Sequence, residues 1–274
     1  MIICILVVLG LCFGSFVNAL VWRIHKQAQN KKSQQDKYSV LTGRSMCTDC
    51  GHMLAWYDLI PVFSWLGLGG KCRYCHRHIS WQYPLVELIT AGLFILSYLY
   101  WPLGFTGLYI AMFIMWLVFV VGFMALAVYD LRWMLLPDRI VYPLQGFAVI
   151  YVLTKFVASG GDLDVLLGAV MGVVFSSGIF YILYQVSQGK WIGGGDVKLG
   201  VVLGLVLGGA FEAILMLFIA SMLGSLIGIP LLLAKKTKLQ SKLPFGPLLL
   251  IATFVVFLFG ASMISWYKQL FLIV

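Results

Sequence analysis

The chain has 274 residues, 62% of them apolar and only 11% charged, with a mean hydropathy of +0.99 and a formal net charge of +9. That balance excludes a soluble globular domain and makes lipid the solvent for most of the chain. The positive charge does not point to nucleic acid, because 17 of the 19 Lys and Arg residues fall on one side of the topology derived below, as expected of loops retained on the cytoplasmic face.

About 20 apolar residues cross a bilayer as a helix. Eight such segments are predicted, at 2–22, 84–101, 107–129, 140–158, 165–186, 197–210, 211–234 and 245–266, so the fold class is an all-α polytopic membrane protein with about eight transmembrane helices. Only Gly208, Gly209 and Glu212 divide the sixth segment from the seventh, which leaves seven helices with one re-entrant segment as the alternative. The first segment has no basic run before it, and Arg23 and Lys26 follow it, so it reads as an anchor rather than a cleaved signal. Three parts follow: a first transmembrane helix (1–22), a cytoplasmic module (23–83) and a membrane domain (84–274).

Within the module, Cys47-Thr-Asp-Cys50 and Cys72-Arg-Tyr-Cys75 are two C-x-x-C pairs separated by 21 residues, close to the spacing of a four-thiolate zinc site. Gly51 can take the positive φ that brings backbone amides toward the sulfurs. A reducing compartment argues against disulfides. Four sulfurs leave zinc no open position, so the metal would staple a small module rather than activate water. His52, His76 and His78 are alternative ligands or solvated neighbours.

Carboxylates at membrane depth are expensive unless paired or useful. Asp130 ends the third span, at the unfavourable end of a helix dipole; a loop acid paired with Arg132 is the plainer reading. Asp138, behind Pro137, reads as the N-cap of the next helix. Asp196 follows Gly193, Gly194 and Gly195 and precedes Lys198, which fits an N-cap, a catalytic acid or a phosphate loop, though the Lys-Ser/Thr ending of a P-loop is missing. Two aspartates at one membrane depth suffice for an aspartyl protease, in which the pair shares a proton and activates water. Their opposite helix ends would favour ionised Asp196 over ionised Asp130. A transporter or channel with buried acids along an ion path is the rival class.

The chain resembles the type IV prepilin peptidases, or prepilin leader peptidase/N-methyltransferases, along nearly its whole length. The resemblance is carried by Gly14-Ser-Phe-Val-Asn18 with Arg23, the two C-x-x-C pairs bracketing Ile60-Pro-Val-Phe-Ser-Trp-Leu, Ile79-Ser and Tyr83-Pro-Leu-Val-Glu87. It continues through Leu135-Leu-Pro-Asp138, Gly193-Gly-Gly-Asp196-x-Lys198 and Pro244-Phe-Gly-Pro247.

This resemblance implies an enzyme of the bacterial cytoplasmic membrane whose site faces the cytoplasm. It would cleave the basic leader of prepilins or pseudopilins with Asp130 and Asp196, and then methylate the new N-terminus with S-adenosylmethionine, an activity associated with the cysteine module. A relative with peptidase activity alone is the alternative. Gly193, Gly195, Lys198, Asp138 and Glu87 are supporting or substrate-binding candidates, with Glu87 placed to handle the nascent amine. Asp36, Asp49, Asp58 or Asp138 would receive the basic leader.

Overall fold

The structure is a computed structural model that describes residues 1–29, 38–40, 43–233 and 244–270. Lys31, Lys32, Lys37, Lys235, Lys236, Lys238 and Lys242, which contribute to the expected orientation, and Asp36 lie outside the described residues.

Among those residues there is no strand, only helix, turn and two isolated bridges. The chain runs α1 (Ile2–Gln29), a 3-10 turn (Trp56–Leu59), α2 (Phe63–Gly67), α3 (Gln82–Leu99), α4 (Leu108–Trp133) and α5 (Asp138–Ala158). It continues through α6 (Leu163–Val173), a π-helical turn (Val174–Gly178), α7 (Ile179–Ser187), α8 (Gly194–Leu207), α9 (Ala210–Leu233) and α10 (Gly246–Leu270). Among the described residues, seven stretches are long and apolar enough to cross a membrane, α6 and α7 counting as one.

All eight predicted segments are helical, but the sixth, α8, has only 14 residues. At 1.5 Å per residue it is about 21 Å long, short of the ~30 Å hydrocarbon core. Its length need not match lipid, because Leu199, Val202, Leu203 and Val206 are buried against protein.

The chain divides into two compact units. One comprises Met1–Leu99 and Leu117–Val128; the other comprises Tyr100–Trp116 and Tyr129–Val274. In the first, α1 packs on α3 through residues four apart. A Cβ on Gly10 would fall 2.5 Å from Ala91 Cα, and one on Gly14 would fall 2.5 Å from Glu87 Cα. One turn further, Asn18 Nδ2 donates to the Tyr83 carbonyl at 3.2 Å. Small residues at this spacing let two backbones approach inside a membrane.

The second unit repeats the device between α6 and α8, where Gly168 meets the Gly208 carbonyl and Gly172 meets that of Gly204. Ser176 Oγ bonds the carbonyls of Gly172 and Gly200, both at 2.7 Å, and Ser177 Oγ bonds that of Val197 at 2.8 Å. The π-helical turn sets both hydroxyls against α8. Elsewhere in this unit the buried Trp116 ring stacks on Phe257 of α10 at 3.7 Å and 9°.

Candidate active site and metal centre

The four cysteines form one cluster, with their sulfurs all within 4.8 Å of one another and Cys47 Sγ 3.9 Å from Cys75 Sγ. A tetrahedral ion with ~2.3 Å metal–sulfur bonds sets sulfurs about 3.8 Å apart, so the donor set fits such an ion. Two equivalent knuckles build the cluster. Cys47 N–H donates to the His52 carbonyl and Gly51 N–H to that of Cys47; 25 residues on, Cys72 N–H donates to the Arg77 carbonyl and His76 N–H to that of Cys72.

Gly51 takes the expected positive φ, 71°, and His76 takes 56° at the matching place in the second knuckle. The histidines therefore shape and flank the knuckles rather than join the cluster; His52 lies against the Tyr74 ring at 3.7 Å. Burial pushes the Cys47 thiol up to about 12. Burial also opposes the Cys72 thiolate, but the backbone N–H groups of Cys75 and Tyr74 bring it down to about 7.

The two aspartates lie in the second unit. Asp130 sits in the last turn of α4, 6% exposed. Its carboxylate accepts the Gly246 N–H, one of the orphan donors at the start of α10. Arg132 instead stacks over the Trp133 ring. Asp196 is the third residue of α8; Gly193 is the N-cap, and its N–H reaches the Asp196 carboxylate. The charge of Asp130 is felt at Asp196. Leu136 links them: its Cδ2 lies 3.6 Å from where a Cβ on Gly246 would be, and its Cβ 3.1 Å from where one on Gly195 would be. Since α10 turns its positive end to Asp130, both acids face a helix N-terminus, and the asymmetry expected from α4 and α8 alone is offset.

Asp138 does not cap α5, whose N-cap is Pro137. Its Oδ1 takes Lys198 Nζ at 2.8 Å instead, and Lys198 also lies over the Tyr142 ring. Gln145 Nε2 holds the Lys198 carbonyl at 2.8 Å. Of the acids expected to receive a leader, Asp58 is held by Arg73 and Asp49 lies 3.9 Å from Arg77, so each described candidate already faces a cation. In the first unit, buried Glu87 accepts the Val62 N–H at 2.7 Å and bonds Ser15.

Sequence reasoning assigned no role to Gly246, Leu136, Ser176 or Ser177. Pro244-Phe-Gly-Pro247 marked Gly246 only as part of a motif, whereas the four-residue spacing of Gly168, Gly172 and Ser176, and of Gly200, Gly204 and Gly208, was a readable signal.

A multi-pass helical membrane protein with a four-cysteine cluster able to hold a metal ion is thereby defined. Residues 8–101 match the bacterial Peptidase A24 N-terminal domain, and residues 117–229 match the type IV leader peptidase family. The prepilin leader peptidase/N-methyltransferase of Pseudomonas aeruginosa is 33% identical over 96% of this chain and 92% of its own length. That of Aeromonas hydrophila is 31% identical over 96% and 92%, and that of Myxococcus xanthus 37% identical over 84% and 63%. The chain belongs to the type IV leader peptidase family. No solved structure matches it.

Proposed function

We propose that the protein is a prepilin leader peptidase in which Asp130 and Asp196 share a proton and activate the water that attacks the scissile carbonyl, and that it also methylates the new N-terminus. The observation that carries the peptidase reading is that Asp130 of α4 and Asp196 of α8 lie within electrostatic reach of each other, with Leu136 packed near both Gly246, which adjoins Asp130, and Gly195, which precedes Asp196. Two carboxylates that share one site favour the state with one proton between them. The ionised member takes a proton from water while the protonated member donates to the carbonyl oxygen, so no enzyme nucleophile is required. The N–H groups of Gly193 and Gly246 orient the two acids from helix starts.

Lys198 and Asp138 brace the start of α8 against α5 at the exposed edge of this site. A basic leader reaching Asp138 competes with Lys198 for it. Glu87 acts by holding Val62 rather than by meeting substrate. Cys47, Cys50, Cys72 and Cys75 hold zinc as a structural staple, and S-adenosylmethionine supplies the methyl group. The excess of Lys and Arg in the loops beside α1, α3 and α5 sets these loops, and the dyad with them, on the cytoplasmic face of the inner membrane.

The test is incubation of the purified protein with a prepilin, with and without S-adenosylmethionine, followed by mass spectrometry of the product N-terminus. Leader loss in both reactions and an added methyl mass only in the second support the reading. An uncut substrate with folded, zinc-loaded protein contradicts it.

A further inference from the structure

Between α1 and α3 lies a stretch, Trp56-Tyr-Asp-Leu-Ile-Pro-Val-Phe-Ser-Trp-Leu66, that is unsuited to water. Trp56, Phe63 and Leu66 are 78%, 69% and 60% exposed, and Trp81, just before α3, is 66% exposed. Exposed apolar clusters of this kind mark a contact surface.

The depth of this stretch follows from one hydrogen bond. Val62 N–H donates to Glu87 Oε2 at 2.7 Å, and Glu87 lies five residues into α3, about 7.5 Å along its axis. With 18 residues, α3 is about 27 Å long, no longer than the ~30 Å hydrocarbon core it must cross. Glu87 therefore lies several Å beneath the hydrocarbon boundary, and the turn bonded to it lies there too. Leu85 and Leu88, exposed on α3, are its neighbours in depth.

The segment is built for such a setting. Val62, Phe63, Ser64 and Leu66 have their N–H groups bonded within the protein, as hydrocarbon requires. Its one acid, Asp58, has a side chain 4% exposed and satisfied by Arg73, Tyr74 and the Ala55 N–H. Val62 has φ 60° and ψ −52° in a γ-turn closed by Phe63 N–H to the Pro61 carbonyl. That conformation is strained for a β-branched residue, and the buried Glu87 carboxylate holds it. Trp65 Nε1 bonds the Ile79 carbonyl at 3.1 Å and its ring meets Trp81 at 4.2 Å, tying the other end to the start of α3.

We propose that residues 56–66 form a re-entrant segment seated in the lipid leaflet beside α3, with Phe63 and Leu66 among acyl chains and Trp56 and Trp81 at headgroup level. The occupant of this surface is phospholipid rather than a protein.

The experiment places the photo-cross-linker p-benzoylphenylalanine at Phe63, Leu66 or Arg77 of the full chain, the last being a charged, exposed position of the second knuckle. Each protein is reconstituted in phosphatidylethanolamine and phosphatidylglycerol vesicles, irradiated and analysed by mass spectrometry. Phospholipid adducts at 63 and 66, several-fold above those at 77, are expected. Equal lipid adducts at all three positions, or adducts at 63 and 66 only to a second copy or to another protein, overturn the proposal.

Discussion

A Gly246→Ala substitution adds one methyl group 2.6 Å from Asp130 Oδ2 and 3.3 Å from its Cγ. Ordinary carbon contacts begin near 3.5 Å, so the overlap with the oxygen is about 0.9 Å, and either the carboxylate or the start of α10 moves by about that much. A displacement of about 1 Å in a reacting group costs about 100-fold in rate. Alanine is a better helix former than glycine by about 1 kcal/mol in a helix interior, and Gly246 does not have positive φ, so backbone strain does not oppose the change. Activity and stability should therefore separate. The assay is prepilin cleavage kinetics in detergent beside circular dichroism and thermal melting. Gly246→Ala should fold normally and lose about 100-fold in kcat/KM. Gly195→Ala, whose methyl would lie 3.1 Å from Leu136 Cβ, should lose less, and Gly194→Ala, with only Tyr184 near at 3.8 Å, should stay near the unaltered rate. Cleavage by Gly246→Ala within about twofold of the unaltered protein would refute this geometry, since a misplaced carboxylate cannot be that inexpensive.

Lys198→Ala and Asp138→Asn should each slow cleavage by less than about tenfold, and the loss should shrink at high salt because the ion pair is exposed; kinetics across a salt series check this. Gly204→Val should abolish folding, because even a Cβ there lies 2.5 Å from the Gly172 carbonyl and from Ser176 Oγ; yield and melting of the purified variant report it. Zinc should bind at one ion per chain, and its removal by chelator or by Cys72→Ser should raise amide exchange across residues 44–80, read by hydrogen–deuterium exchange. Burial opposes the Asp58 carboxylate, but Arg73, the Ala55 N–H and Tyr74 outweigh it and hold it below its usual range. Its stabilising effect is thus present above the unfolded value near 4 and lost as pH falls through the lower folded value. Asp58→Asn should therefore loosen the module at pH 7, and the difference from the unaltered protein should close below pH 4.

The helical segments were legible because lipid imposes a long apolar run on each. The length of α8 was not, since a helix wrapped by protein escapes that rule and its sequence is equally apolar. The four cysteines could be read because two knuckles carry their ligands at local spacing, and Asp130 and Asp196 stood out as candidates because a carboxylate at membrane depth is conspicuous. What stayed hidden were contacts across distant chain positions. Gly246 donates to Asp130 from 116 residues away, and Asp138 prefers Lys198 to the cap that its local sequence suggested. The opposed dipoles read from α4 and α8 were incomplete for the same reason: the third helix end, that of α10, is invisible in the sequence around either acid.

The most direct test of the dyad is a cleavage cycle with Asp130→Asn, Asp196→Asn and the double variant, each verified as folded and zinc-loaded. If the two acids act as one unit, each single variant loses at least about 1,000-fold and the double loses no more than the worse single. A single variant that retains the unaltered rate, or a double whose loss is the product of two modest ones, would contradict it.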